Sequence, residues 1–224
     1  MPATKQSENH LNEIVLQIFQ FKEEFLKSSQ RIMEAGNSKL FALDFLALSV
    51  NNRAISLANG YSTLVADKNY LTAISLIRLQ LDNALRFFAS TLVENSSKFA
   101  EHFIDGKAIR DYSDIKGNKL TDNYLAKELE KYFKGTQKLY RETCGFIHLS
   151  DRHFQPTLTK GKTKDRKIGI QIGSSENFSI EDKIVFSKTM LEVCKLVLVI
   201  VEQWKHEKIK LSEIHDQRIK KENK

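Results

Sequence analysis

Proline is nearly absent from this sequence, which has only Pro2 and Pro156 among 224 residues, and glycine occurs just nine times. Because these residues interrupt regular helices most strongly, their scarcity leaves long stretches free to be helical. Cysteine is equally scarce, since Cys144 and Cys194 are too few and too far apart for a disulfide framework. We therefore expect an all-α protein from a reducing compartment.

Long uncharged apolar runs are missing as well. The most apolar segment, residues 196–201, follows closely after Lys188, Glu192 and Lys195, which disfavour a membrane span. The first eight residues are polar and lack the apolar core of a secretion signal. The sequence therefore predicts a cytoplasmic protein with no part in the membrane.

Acidic residues are outnumbered by basic ones, 28 to 35, which gives a formal charge of +7 and a pI near 9.2. Such a balance suits an anionic partner such as RNA, although many basic proteins bind none. No internal repeat and no linker rich in Pro, Gly or Ser divides the chain. We expect one helical domain over residues 1–204, followed by a charged helical extension or tail over residues 205–224.

Apolar residues recur three and four positions apart through most of the sequence, which is typical of amphipathic helices. This pattern predicts a bundle of about five to six helices, with glycines ending the first two. Thr121 is a candidate N-cap, and Ser179 with Asp182 forms an approximate capping box. The predicted helical ranges are 7–35, 40–59, 69–93, a short piece near 99–103, 121–133, 136–149 and 180–209.

Residues 154–172 interrupt this pattern, because side chains alternate in polarity on both sides of a lysine-rich segment. Alternation of this kind predicts a small β-hairpin with a basic tip. The tip is either an electrostatic contact for a nucleic-acid backbone or simply a solvated turn. Its candidate substrate-binding residues are Lys160, Lys162, Lys164, Arg166 and Lys167.

The sharpest chemical lead is the pair Arg141 and His148, seven positions apart in a predicted helix. Seven residues at about 100° each return to nearly the same face. An arginine stays charged and a histidine titrates near neutrality, so together they are a sufficient minimum for acting on a phosphodiester. The alternative is a salt-bridging arginine and a hydrogen-bonded core histidine.

The spacing from Arg141 to His148, near the end of a helix in a basic all-helical chain, resembles the R-x4-6-H motif of the HEPN superfamily. Glu142 keeps the polar character of the position after the arginine, although it departs from the commoner asparagine, aspartate or histidine. The segment from Ile77 to Asp82 is similar to an arginine-plus-acid helix in uncharacterised microbial HEPN-like proteins. The two likenesses span roughly residues 40–205.

The resemblance implies a homodimer in which two motif helices face each other and form one composite cleft. It implies a metal-independent endoribonuclease without a cofactor, of a kind found in phage defence or toxin systems, with an antitoxin or regulatory protein as a further partner. On that basis His148 is the general acid or base, Arg141 holds the scissile phosphate and Glu142 orients one of them. The alternative function is a non-catalytic helical RNA-binding or protein-interaction scaffold.

Three further residues are candidates for supporting roles. Arg78 and Asp82 lie on one stripe with Arg86, which is a support for the site, a network between protomers or an ordinary solvated face. His153 follows His148 by five residues and is either a second imidazole near the phosphate or a surface turn residue. The two histidines lack a third ligand at convincing spacing, so no metal site is predicted.

Overall fold

The computed structural model describes residues 5–147, 150, 158–159, 169–170 and 178–222. The predicted all-α fold is confirmed, with more helices than the five to six expected. The helices are α1 (Lys5–Gln20), α2 (Lys22–Glu34), α3 (Ala42–Ala66), α4 (Tyr70–Phe88), α5 (Ser96–Ile104), α6 (Asp122–Leu129), α7 (Thr136–Ile147) and α8 (Ile180–Glu222), with short 3-10 turns at Ala89–Thr91 and Ile109–Asp111.

The centre of the bundle is formed by α3, α4 and α8, which contact one another, while α1 and α2 cover α3 and α8. On its other side α4 contacts α6 and α7. The core between these layers is rich in aliphatic residues and contains several large aromatic side chains. The largest fully buried aromatic residues are Phe25, Tyr61, Phe87 and Phe99.

Helix ends follow the sequence signals in some places and not in others. Ser179 and Asp182 form the expected reciprocal cap of α8, and Thr121 accepts the Tyr124 N–H at the start of α6. The prediction that Gly60 ends the second helix was wrong, because α3 continues through it to Ala66. A Cβ at Gly60 would lie 3.3 Å from Leu76, so this glycine lets α3 and α4 pack closely.

The charged residues after Trp204 continue α8 to Glu222, so this helix has 43 residues and a length of roughly 65 Å. Lys208 lies fully buried in this segment and pairs with Asp44 at 3.1 Å. Ser212 donates a hydrogen bond of 2.8 Å to the Gly36 carbonyl. The segment is therefore packed against the turn between α2 and α3.

The loop between α5 and α6 is fixed by one carboxylate. Asp114 accepts hydrogen bonds from the backbone N–H groups of Lys116 and Asn118 and from the Tyr124 hydroxyl. Burial acts to raise the pKa of Asp114, but these hydrogen bonds outweigh it and lower the pKa to about 2. The loop is thus tied to α6 by a charged acceptor.

In the region of the predicted hairpin, the structure describes two short antiparallel strands, β1 (Leu158–Thr159) and β2 (Gly169–Ile170), with Leu158 opposite Ile170. The other residues of 154–172 lie outside the described residues, so the hairpin insertion as a whole stays a prediction. Nowhere in residues 5–147 or 178–222 is a helix apolar enough over sufficient length to cross a bilayer.

Candidate functional site

The candidate site is built on α7, and its first turn is fixed by Glu130. This carboxylate accepts the backbone N–H groups of Gly135 at 3.1 Å and Gln137 at 2.9 Å. These two hydrogen bonds lower the pKa of Glu130. Gly135 has a φ of +92°, a conformation that glycine adopts without strain, so the chain can turn sharply into the helix.

Arg141 lies on the exposed face of α7, as does Glu142. Its guanidinium makes no ion pair or hydrogen bond within the part of the chain that the structure describes. Among the described residues, the acidic contact on this face is that of Glu142 with Lys138, at 3.8 Å and largely in solvent. Among the described residues, then, no carboxylate forms the salt bridge of the alternative interpretation or competes with an anion for the donors of Arg141.

The inner face of α7 is held by α4 at two points. Ser75 donates a hydrogen bond of 2.8 Å to the Phe146 carbonyl in the last turn of α7. One turn further along α4, the Arg78 guanidinium lies 4.3 Å from the centre of the Tyr140 ring. Cation–π contacts gain strength when the cation is desolvated, and Arg78 is only 6% exposed. These contacts fix the orientation of the helix that carries Arg141.

Arg78 also belongs to a charge network within the subunit. It bonds Asp82 on its own helix and lies 3.8 Å from Asp122, which in turn contacts Arg86 at 2.7 Å. Asp122 is in the first turn of α6, where a negative charge is also favoured by the helix dipole. The stripe predicted on α4 is therefore a link between α4, α6 and α7, and not an ordinary solvated face.

Burial raises the pKa of the Tyr140 hydroxyl, and the nearby Arg78 cation opposes this only in part. Tyr140 is thus neutral near pH 7 and serves as a ring surface for Arg78. The outward face, by contrast, is basic, because exposed Lys138 and Arg141 lie three residues apart on α7, and exposed Lys134 precedes the helix. Residues three apart lie on one side of a helix, so Lys138 and Arg141 give α7 a short cationic stripe.

Several predicted site residues lie outside the described residues: His148, His153, Lys160, Lys162, Lys164, Arg166 and Lys167. The helix is described as far as Ile147, the residue before His148. The alignment of Arg141 with His148 thus stays a prediction from their spacing.

Sequence reasoning missed the roles of Tyr140 and Asp122. On sequence grounds Asp122 only favours the start of a helix, next to the Thr121 cap, and Tyr140 has no assigned role. Both contact Arg78 across more than forty positions of sequence, a separation at which periodicity carries no information. The one available signal was Arg78 itself, a charge among strongly apolar residues that needs partners if it is buried.

Comparison of this chain with protein-family profiles, curated proteins and solved structures finds no match.

Proposed function

We propose that this protein is a metal-independent endoribonuclease of the HEPN type that acts as a homodimer in the cytoplasm. The observation that carries the proposal is Arg141, an exposed arginine without an acidic partner in the described part of the chain, on a helix whose orientation is fixed. A guanidinium held in this way suits a phosphodiester, because its planar fork of donors matches phosphate oxygens.

The proposed reaction involves three groups of the RNA: the 2′-hydroxyl, the phosphate and the 5′-oxygen that leaves. The 2′-oxygen loses its proton and attacks the adjacent phosphorus, which forms a cyclic phosphate and breaks the bond to the 5′-oxygen. That leaving oxygen takes up a proton, and negative charge grows on the phosphate oxygens in the transition state. His148 moves the proton and Arg141 stabilises the growing charge.

In the proposed dimer, the two motif helices face each other, so that Arg141 and His148 of both subunits form one cleft. The basic stripe on α7 and the lysine-rich segment 160–167 attract the RNA backbone. Glu142 is proposed to orient one of the two catalytic groups once RNA displaces its solvent-exposed contact with Lys138. A role in phage defence or in a toxin system, with a protein antitoxin as regulator, agrees with such an activity.

The test is incubation of purified protein with labelled RNA in EDTA. Arg141→Ala and His148→Ala should each slow cleavage by about a hundredfold or more, the usual effect of losing an acid–base or charge-stabilising group. Arg110→Ala is the matched control, since Arg110 is likewise exposed and has no ion-pair partner in the described residues. Parental cleavage rates in both site variants would remove the assignment.

A non-catalytic RNA-binding or protein-interaction scaffold is the second candidate. It is favoured by the Lys138–Glu142 contact, which leaves Arg141 without an orienting carboxylate in the described residues. Intact RNA that binds with a steep salt dependence would support this function, because backbone contacts release counterions.

A further inference from the structure

A second basic feature is a cleft between α3, α4 and the segment from the end of α5 to Ile109, and none of its described lining residues belongs to α7. The cleft has a volume of about 480 Å³, within the range of small-molecule sites. Leu46 and Val50 form one apolar wall, and Phe103 and Ile109 form the other. The cleft is therefore a concave site with an apolar body.

The charged side chains that line this cleft are all basic. They are Arg53 from α3, Arg86 from α4 and Lys107 from the loop, and none of the described residues lining the cleft is acidic. Lys107 contacts Asp105 at 3.0 Å and Arg86 contacts Asp122 at 2.7 Å. Arg53 has no carboxylate partner in the described part of the chain, so the cleft has an uncompensated positive charge.

Arg53 is also held in place by a chain of buried polar groups. Its Nη1 donates to the side-chain oxygen Oδ1 of Asn83 at 2.5 Å, and the side-chain amide nitrogen of Asn83 donates to Gln80 Oε1 at 3.0 Å. Gln80 in turn donates to the Cys194 sulfur at 3.2 Å. Asn83 and Gln80 are both almost completely buried. The other donors of Arg53, on Nε and Nη2, have no acceptor among the described residues.

Arg53 and Arg86 are neighbouring cations that repel each other, and the Asp122 carboxylate pairs with Arg86 but not with Arg53. Burial lowers the pKa of Arg53, and the charge of Arg86 lowers it further. Such an arrangement is costly in the empty protein and becomes favourable once an oxyanion accepts hydrogen bonds from both guanidinium groups.

We propose that this cleft binds a small organic phosphate, with its phosphoryl group between Arg53 and Arg86 and its apolar part against Leu46, Val50 and Ile109. The preference for a phosphate with an apolar body follows from the two basic side chains at one side and the aliphatic walls beside them. The proposal is independent of RNA cleavage, because the hydrogen bonds of Arg53 among the described residues go to α4 and not to α7.

The experiment is a titration of methyl-labelled protein with phenyl phosphate, followed by NMR at Leu46, Val50 and Ile109. We expect these methyl signals to shift, with inorganic phosphate and phenol each binding at least tenfold more weakly. Arg53→Met should weaken phenyl phosphate binding at least tenfold. Arg218→Met, at an exposed position near the end of α8, should leave the affinity unchanged.

Methyl signals that do not move at millimolar phenyl phosphate, or equal affinities for phenyl phosphate and inorganic phosphate, would overturn the proposal. Equal affinities of the parent and Arg53→Met would overturn it as well. The parental titration decides the matter even if Arg53→Met does not fold. Arg53→Met should also keep parental RNA cleavage, so that failure of this site and failure of the nuclease proposal are distinguishable.

Discussion

Replacement of Lys208 by methionine tests whether the charged end of α8 is part of the folded core. The Asp44 carboxylate and the Lys208 ammonium are both fully buried, 3.1 Å apart. Asp44 also accepts hydrogen bonds from the Phe41 backbone N–H at 2.8 Å and the Trp204 indole N–H at 2.7 Å. Lys208 donates to the Ile32 carbonyl at 2.7 Å.

Methionine keeps most of the aliphatic volume of Lys208 and removes its charge. Asp44 would then remain as a buried carboxylate whose donors among the described residues, the Phe41 and Trp204 N–H groups, are neutral. Loss of one partner from a buried ion pair lowers the free energy of unfolding by about 3–5 kcal/mol, and we expect a loss of that size. Lys210→Met is the matched control, because its pair with Glu207 is exposed, and it should cost no more than about 0.5 kcal/mol.

The assay is urea unfolding followed by far-ultraviolet circular dichroism, with Asp44→Asn and the double variant completing a mutant cycle. The double variant leaves no uncompensated charge, so its loss should be smaller than the sum of the single losses by about 2 kcal/mol. If a single variant is too unstable to purify, recovery of a folded double variant would show the same coupling between the two residues. A Lys208→Met protein as stable as Lys210→Met would refute the reasoning.

Three further predictions concern the turn, the loop and the α7 contact. Gly36→Ala should lower the free energy of urea unfolding by about 2–4 kcal/mol, because the φ of Gly36 is +60° and an added Cβ would lie 3.0 Å from Ser212 on α8. Gly117→Ala is the control: its φ is +83° but its surroundings are open, so the free energy of unfolding should fall by only about 1 kcal/mol. The pKa of Asp114 is lowered in the folded protein, so its carboxylate stabilises the fold above about pH 4, and this stabilisation is lost as the pH falls towards 2. The difference in Tm between the parent and Asp114→Asn should therefore vanish between pH 4 and pH 2. Tyr140→Leu removes the cation–π contact between Arg78 and α7, so it should lower the free energy of unfolding by about 1 kcal/mol and slow RNA cleavage.

Helix ends could be predicted from the sequence where a single capping residue determines the end. Thr121 and Ser179 cap helices as expected because a side-chain oxygen satisfies nearby N–H groups whatever the tertiary fold. The prediction that Gly60 ends a helix was wrong because a glycine inside a helix can instead let a neighbouring helix pack closely. The sequence alone does not distinguish that use from a helix end.

Buried charges were harder to predict than helix ends. Asp44 and Arg53 are the only charged residues in the predicted second helix, 40–59, yet Asp44 is fully buried and Arg53 lines a cleft. Asp44 is buried because it pairs with Lys208. Lys208 lies 164 positions away in the sequence, in a segment expected to be a charged extension or tail. Lysine is almost never fully buried without a partner, so composition favours solvent there.

For the candidate site, the sequence predicted Arg141 and its helix. Which side chains surround Arg141 could be read only from the fold. The absence of an acidic partner within the described residues depends on which side chains α4 and α6 bring to α7. Asp122 is the clearest case, since it is engaged by Arg78 and Arg86 and thus does not neutralise the outer face.

The chemistry of the cleaved ends tests the proposed nuclease most directly. RNA incubated with the protein in EDTA should yield 2′,3′-cyclic phosphate and 5′-hydroxyl ends by mass spectrometry, and a substrate with 2′-deoxy sugars should stay intact. Arg141→Ala and His148→Ala should each form these ends at least about a hundredfold more slowly. Intact RNA with the parental protein, or products with 5′-phosphate ends, would contradict the account.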